Sequence, residues 1–408
     1  MDIDTQTCRV QLDIRDPDFY NDPYPFYHEL RQRVPIFYWE HHDLWTFTSH
    51  QDVDRILRDR RFGRQITHIV SPQELGLPPE QDDLKPFYDV DRFSMLDLEP
   101  PAHTRLRGLV QKAFMARQIE RLRPRLTQLC HDLIDQMTAH RQVDLLSAYA
   151  TPIPVTVIAE MLGVPTSMSQ SLLDWSHAMV KMYELERTAE SEQAAVQAAQ
   201  EFVAYLRQLV VKRRQRPQND LITKLIEVEE AGEMLTEDEL ISTCILLLNA
   251  GHEATVHVIG NGVYALLQHR DQLARWRKEP GLAETAVAEL LRYDTPLHQF
   301  NRWVLEDLEY EGHYFRQGTR VSLLLGAANR DPAQFPDPDR LDLGRQKNAH
   351  VSFGGGIHYC LGAPLARLEL QIALPLLLAR LPDLQLAAQP YYRNSYHFHG
   401  LESLWVTW

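Results

Sequence analysis

Cysteine is scarce in this chain of 408 residues, and its four residues lie far apart, at positions 8, 130, 244 and 360. The sequence contains no Cys-x-x-Cys pair and no group of cysteines and histidines with the spacing of a zinc site. This scarcity argues against a disulfide framework of the kind that stabilises small secreted domains. It favours a reducing, cytoplasmic location.

Long apolar runs and an excess of positive charge are also absent. The most apolar stretches, 244–248 and 372–379, are much shorter than the about 20 residues that cross a bilayer. The first 22 residues lack the basic and apolar regions of a signal peptide. The net charge is −14, from 42 basic and 56 acidic residues, which argues against a nucleic-acid or anionic-lipid partner. We therefore expect a soluble protein without a membrane anchor.

The remaining composition is that of a globular protein, with 44% hydrophobic and 24% charged residues. No repeat or flexible linker divides the chain, and helical periodicity covers most of it. We expect a mainly α protein with small peripheral β-sheets, forming a single domain over residues 1–408 with about 20 residues of N-terminal extension. The predicted helices are 102–116, 118–138, 191–216, 236–267 and 283–293. The predicted strands are 45–48, 308–310, 314–315, 320–325 and 404–407.

The strongest helix signal begins at Thr236. Thr236 and Glu239 have the spacing of a capping box, and Leu235 and Leu240 are placed as a hydrophobic staple. The apolar pattern continues to about residue 267, which is roughly nine turns. Such a helix is long enough to cross a large domain.

A glycine-rich segment, Phe353-Gly-Gly-Gly-Ile-His-Tyr-Cys-Leu-Gly362, is the sharpest chemical feature. Three glycines allow a tight turn and a close approach to a flat ligand. Cys360 follows the turn and precedes a predicted helix with Pro364 in its first turn. The positive end of a helix dipole favours the ionised, ligating thiolate. An isolated cysteine is more often a buried structural residue, but the surrounding loop favours a ligand.

The pattern Phe-Gly-x-Gly-x-His-x-Cys-x-Gly resembles the haem-binding loop of the cytochrome P450 family. Four other segments are similar to family motifs in the family's order: residues 99–107, 250–255, 289–292 and 329–340. The resemblance extends from about residue 22 to the C-terminus. It implies the cytochrome P450 fold, with a long central helix over a noncovalently bound haem b whose axial ligand is Cys360.

The same resemblance implies further haem contacts. Basic side chains would hold the haem propionates, because guanidinium and imidazolium groups pair well with carboxylates. Glu289 and Arg292 share one helix face and would form a buried structural cluster with Arg340. The residues implied for haem binding are His103, Arg107, Arg302, His358, Phe353, Gly354 and Gly251.

A second group of implied residues lies in the central helix. Glu253 is expected to relay protons to dioxygen, and small residues around Gly251 would leave a groove for it. Most relatives carry a threonine after the acid, but this chain has Ala254. Thr255 lies about 100° further round the helix, so it cannot take over the same geometry, although we place it with Glu253 and Ala254 at the catalytic turn. Leu248, Leu297 and Phe300 are expected to line the substrate pocket.

The resemblance therefore implies a monooxygenase that inserts one oxygen atom of O2 into a small apolar or natural-product substrate, either free or carrier-bound. Electrons would come from a ferredoxin and its NAD(P)H-dependent reductase. A basic face for the ferredoxin, or scattered surface charges, would explain Arg105, Lys112, Arg345 and Lys347 equally well. Alternatives are radical coupling or peroxide-driven oxidation at the same haem, and a non-catalytic haem sensor. A cysteine hydrolase is disfavoured, since Cys360 and His358 are poorly spaced as nucleophile and base.

Overall fold

The computed structural model describes residues 1–77, 81–113, 119–184, 187–230 and 232–408. Its α-helices are α1 (Pro17–Asn21), α2 (Tyr24–Arg33), α3 (His50–Arg58), α4 (Lys85–Asp91), α5 (Ala102–Ala113), α6 (Arg123–Thr138), α7 (Pro152–Leu162), α8 (Ser169–Val180), α9 (Ala189–Gln215), α10 (Leu221–Glu227), α11 (Glu237–Gln268), α12 (Arg270–Lys278), α13 (Ala283–Tyr293), α14 (Leu325–Ala328) and α15 (Ala363–Arg380). Short 3-10 helices include Lys181–Tyr183 and Gly356–His358. Among the described residues, no helix has both the length and the hydropathy needed to cross a membrane.

The strands are short. They are β1 (Asp2–Asp4), β2 (Arg9–Gln11), β3 (Ile36–Trp39), β4 (Leu44–Phe47), β5 (Phe62–Gly63), β6 (Gln142–Asp144), β7 (Glu229–Glu230), β8 (Glu233–Met234), β9 (Gln299–Val304), β10 (Leu308–Tyr310), β11 (His313–Phe315), β12 (Arg320–Leu324), β13 (Gln385–Leu386) and β14 (Trp405–Thr407). Contacts between residues divide the chain into two compact units. The first comprises residues 1–62, 122–153 and 253–408, and the second comprises residues 63–121 and 154–252. A single domain over residues 1–408 stays a prediction.

The first unit contains a seven-stranded sheet in the order β1-β2-β3-β4-β12-β9-β5. Strand β12 runs parallel to β4 and antiparallel to β9, with Leu323 opposite Phe300 and Val321 opposite Arg302. Helix α3 and the sheet share an apolar core that includes Phe47, Val53 and Val321. The sheet therefore fixes the positions of Phe300 and Arg302 on β9.

A buried polar cluster in the first unit brings together segments that are distant in sequence. Asp294 accepts hydrogen bonds from the hydroxyls of Tyr24 (2.7 Å) and Tyr392 (2.6 Å), and its carboxylate lies 3.3 Å from His399 Nε2. Burial opposes ionisation, but these partners lower the pKa of Asp294 to about 2. His298 packs its ring 4.3 Å from that of His399. Aspartate and histidine can also bind metals, but the hydrogen bonds already satisfy this carboxylate.

In the second unit, α8 and α9 pack against each other, and α4 also packs against α9. The Trp175 ring lies 5.2 Å from that of Phe202. Ser242, in the first part of α11, donates a hydrogen bond to the Val90 carbonyl at the end of α4. Arg213 forms a buried ion pair with Asp220, the residue that caps α10.

Most of the predicted helices are confirmed. The Thr236–Glu239 capping box forms as predicted. The Thr236 N–H donates to the Glu239 carboxylate at 2.9 Å, and the Glu239 N–H donates to the Thr236 hydroxyl at 3.3 Å. Helix α13 has the predicted bounds. Helix α6 begins at Arg123 because Pro124 occupies its first turn, and residues 114–118 lie outside the described ranges. Strands β3 and β9 were not predicted. Strand β3 is a run of only four apolar and aromatic residues, β9 mixes polar and apolar residues, and neither shows a clear period-two pattern.

Candidate active site

The cysteine loop, residues 353–362, lies after α14 in the chain and leads directly into α15. Gly354 and Gly356 have positive φ angles of 68° and 64°, in a backbone region that favours glycine. A Cβ atom at Gly356 would lie 2.3 Å from the carbonyl oxygen of Leu57, so a larger residue cannot fit there. The Cys360 N–H donates to the Phe353 carbonyl at 3.0 Å. The turn is therefore closed by a hydrogen bond and packed closely against α3.

Of the four cysteines, Cys360 is the exposed one. Cys130 and Cys244 are buried, and burial raises the pKa of their thiols to about 11 and about 12. Cys8 lies in the N-terminal turn at a half-exposed position. Cys360 is thus the thiol best placed to ligate the metal of a bound cofactor.

The catalytic turn predicted in α11 is divided between the units. Ala250 is exposed and Gly251 half-buried in the second unit, where a Cβ on Gly251 would contact Ile158 at an ordinary 3.6 Å. In the first unit, Ala254 is half-buried, whereas Glu253 and Thr255 are buried. Small, accessible residues and a buried acid therefore occur within one turn of the same helix.

Two buried neighbours of this turn were not among the predicted site residues. His257 Nε2 lies 3.4 Å from Glu253 Oε2, one turn further along α11. Glu369 lies on α15, and burial raises its pKa to about 8, while the Thr255 hydroxyl acts in the opposite direction. At neutral pH the Glu369 carboxyl is therefore largely protonated. Its signal in the sequence is a single acid within the apolar stretch of α15.

The residues predicted for the propionates occur in both units. Arg302 is buried on β9 and donates to the Asn301 carbonyl at 2.9 Å, and His358 is half-buried in the cysteine loop. In the second unit, His103 is buried and Arg107 half-buried, four residues apart on α5 and so on one helix face. Phe353 packs beneath the Arg367 guanidinium, 4.6 Å from the ring centre.

The predicted structural cluster forms around Glu289 and Arg292, both of which are fully buried. Two parallel hydrogen bonds of 2.8 Å join them. The third member is Arg345, which lies 3.1 Å from Glu289, and not Arg340 as predicted. The Arg340 side chain is exposed, and its backbone carbonyl accepts from Arg292. The sequence did not show which arginine pairs with Glu289, because Arg340 and Arg345 follow the same proline-rich segment.

The predicted pocket residues have different exposures. In the first unit, Leu297 and Phe300 are half-buried; Leu297 forms a β-bridge with Phe398, and the Phe300 ring lies against Gly354. In the second unit, Leu248 is 2% exposed. Their assignment to a substrate pocket stays a prediction.

Comparison with known proteins decides the family. Residues 84–382 match the cytochrome P450 family profile. The chain belongs to the cytochrome P450 family. It is 38% identical over 400 residues to the polyketide biosynthesis cytochrome P450 PksS of Bacillus subtilis, covering 96% of each chain. It is 37% identical over 404 residues to the 6-deoxyerythronolide B hydroxylase of Saccharopolyspora erythraea, covering 96% of this chain and 97% of that one.

Solved structures agree. The crystal structure of P450BioI in complex with a hexadec-9Z-enoic acid ligated acyl carrier protein superposes with a TM-score of 0.90 at 38% identity, covering 96% of this chain and 99% of that one. The Bacillus subtilis PksS structure gives a TM-score of 0.88 at 36% identity, with coverage of 97% and 99%. The predicted family, P450 fold, oxidoreductase class and haem b cofactor are confirmed.

The residues of this P450 fit haem b. Within the first unit, the exposed Cys360 sulfur follows a glycine turn that permits close approach, and Arg302 and His358 offer cationic donors for carboxylates. When bound, the haem supplies dioxygen activation supported by a thiolate ligand. The roles of the individual residues stay predictions.

Proposed function

We propose that this P450 inserts one oxygen atom of O2 into an apolar natural-product substrate, with electrons from a separate ferredoxin and reductase. The observation that carries the proposal is the exposed Cys360 thiol on a rigid glycine turn, in the same unit as the buried acid Glu253. A non-catalytic haem protein, such as a gas sensor or carrier, does not need such an acid. The relatives that match over nearly the full chain include one named as a hydroxylase and one named as a monooxygenase, which supports the same function.

Different residues of this chain have different roles in the proposed reaction. Cys360 would hold the haem, and Arg302 and His358 of the same unit would bind its carboxylates. The Glu253 carboxylate would relay protons during the reaction, and the small Ala254 leaves space beside it. The Thr255 hydroxyl lowers the pKa of the Glu369 carboxyl, and by its position on the helix Thr255 would not replace the missing threonine at position 254.

The substrate we propose is a long acyl or polyketide-derived chain, free or attached to a carrier protein. Support comes from the names of the relatives: one acts in polyketide biosynthesis, and one was crystallised with an acyl carrier protein bearing hexadec-9Z-enoic acid. The half-buried Leu297 and Phe300 offer apolar surface suited to such a chain.

The deciding experiment is a binding screen that follows the haem Soret band. Free hexadec-9-enoic acid, the same acid on an acyl carrier protein and a macrolide lactone are titrated separately. We expect a saturable shift with the preferred class and a hydroxylated product when ferredoxin, reductase and NAD(P)H are added. Product formed with hydrogen peroxide alone would support the peroxide-driven alternative, and coupled products without oxygen insertion would support radical chemistry. Absence of any shift or product with all three would contradict the proposed substrate class.

The basic face considered for the ferredoxin needs correction at two positions. Arg345 is 11% exposed and pairs with Glu289. Arg105 pairs with Glu233 at 3.3 Å and with Glu239. Because acids neutralise both guanidiniums, they are poor candidates for attracting an acidic protein. Lys347 and Lys112 are exposed and stay candidates.

Ala254 leads to a specific prediction about coupling, the yield of product per NAD(P)H consumed. Without a hydroxyl at this position, a polar group of the substrate is expected to complete the hydrogen bonds near Glu253. A substrate analogue lacking the polar group nearest the oxidised carbon should couple about two- to tenfold less well, the range that one hydrogen bond of about 0.5–1.5 kcal/mol allows. Ala254→Thr should restore much of that loss.

The measurement compares product and hydrogen peroxide for both substrates in the wild type and in Ala254→Thr. Val258→Thr, which adds a hydroxyl to the same helix at a buried position, is the matched control. If the wild type couples both substrates equally well and the threonine changes nothing, a water held near Glu253 becomes the better account.

A further inference from the structure

His257 is a buried neighbour of Glu253 that has no role in the proposed function. It lies one turn after Glu253 on α11, is 2% exposed, and places Nε2 3.4 Å from the Glu253 carboxylate. Side chains four residues apart on a helix face each other. A buried imidazole and a buried carboxylate therefore meet on the helix that carries the predicted proton relay.

The C-terminal turn fixes the orientation of the His257 ring. A Cβ atom on Gly400 would lie 1.9 Å from His257 Nδ1, so the ring packs directly against the glycine backbone. The Phe398 ring lies 5.8 Å from it. Among the described residues, Nδ1 has no hydrogen-bond partner. The ring is thus held from one side by packing and presents Nε2 to the carboxylate on the other.

Protonation follows from this geometry. Burial lowers the pKa of His257, Glu253 raises it, and Arg393 and His399 of the C-terminal segment lower it. The imidazole is therefore neutral at pH 7 and carries one proton. Since Nδ1 faces the Gly400 backbone, that proton belongs on Nε2, from which it donates to Glu253.

We propose that His257 is a positioning residue that holds the Glu253 carboxylate in its resting orientation and sets the pH range over which it relays protons. This inference rests on the role of Glu253 in the proposed function. The same C-terminal turn that packs on His257 also forms the bridge between Phe398 and Leu297. The C-terminal turn therefore contacts both the histidine beside Glu253 and a predicted substrate-lining segment.

The first test measures the titration of His257 directly and does not depend on catalytic turnover. The holoenzyme is labelled with 13C at histidine Cε1 and studied by NMR in its reduced, carbon-monoxide-bound form, and the His257 signal is assigned by its loss in His257→Asn. In Glu253→Gln, the titration midpoint of His257 should fall by about one pH unit or more, since the carboxylate that raises it is gone. An unchanged midpoint would overturn the proposal.

The second test examines Glu253 through the coupling and pH profile of the enzyme, with hexadec-9-enoic acid as the probe substrate. His257→Leu removes the donor at similar volume, and His257→Asn keeps an N–H donor. We expect the leucine variant to yield about tenfold less product per NADPH and to move the pH profile upward, because a carboxylate that loses a donor is harder to ionise. The asparagine variant should recover most of both. Val258→Ala, a buried change on the same turn, should leave the pH profile in place.

The outcomes separate the two levels of inference. A haem-loaded His257→Leu enzyme with wild-type coupling and pH profile would refute the positioning role, while loss of coupling in Glu253→Gln would leave the proposed function intact. Full coupling in Glu253→Gln would instead remove Glu253 from the proposed function. If the leucine variant fails to fold, the NMR titration of Glu253→Gln still decides.

Discussion

Cys360→Ala should abolish the red-shifted Soret band that the reduced, carbon-monoxide-bound protein shows when a thiolate ligates the iron. The reason lies in the other three cysteines. Cys130 and Cys244 are buried as thiols of raised pKa, and Cys8 lies in the N-terminal turn. With no substitute thiolate, monooxygenase activity should fall more than about a hundredfold, because losing even an outer partner of a metal ligand costs about 10–100-fold.

The controls for this prediction use the same chain. Cys8→Ser removes a thiol from a half-exposed turn and should leave the spectrum unchanged. Cys360→Ser keeps the size and tests whether sulfur itself is needed. A Cys360→Ala protein that retains the thiolate spectrum would show that the ligand has been assigned to the wrong residue.

The second large effect is expected at the Glu289–Arg292 pair. Glu289→Ala leaves Arg292 and Arg345 facing a buried site without their carboxylate. Breaking a buried ion pair from one side costs about 3–5 kcal/mol, a large share of a total stability of about 5–15 kcal/mol. We expect low soluble yield and poor haem incorporation, not merely slow turnover, and the same for Arg292→Ala.

Arg340→Ala provides the matched comparison, because the Arg340 side chain is exposed. It should fold, bind haem and melt close to the wild type, whereas Arg345→Ala should be intermediate. The measurements are the ratio of haem to protein and the thermal midpoint. A stable, fully haem-loaded Glu289→Ala protein would contradict the structural role, and a severe Arg340→Ala defect would restore the original assignment of that arginine.

The features that could be predicted from the sequence are those held by short-range interactions. The start of α11 was predictable because its capping box is local, with Thr236 and Glu239 three residues apart. The pairing of Glu289 with Arg292 was predictable for the same reason. The cysteine loop was recognisable because its turn requires glycine at positive φ, at Gly354 and Gly356.

What the sequence did not reveal depends on contacts between distant segments. Arg345 and Arg340 are equally plausible partners for Glu289 until the chain is folded. His257 has the spacing of any helical neighbour of Glu253, and only the approach of Gly400 shows that its ring is fixed. The burial of Glu369, which raises its pKa to about 8, depends on everything packed around α15.

The cluster around Asp294 has a consequence for how the protein is made. Tyr24 is among the first residues to leave the ribosome, but its partner Asp294 and that residue's other partner, Tyr392, follow much later. At about 5–20 residues per second, the wait for Tyr392 is roughly 20–70 s. Phe19 and Tyr27, fully buried in the finished protein, have no completed core during that interval. We therefore expect the early segments of the first unit to need protection during synthesis, and overexpression without added chaperone capacity should favour aggregation.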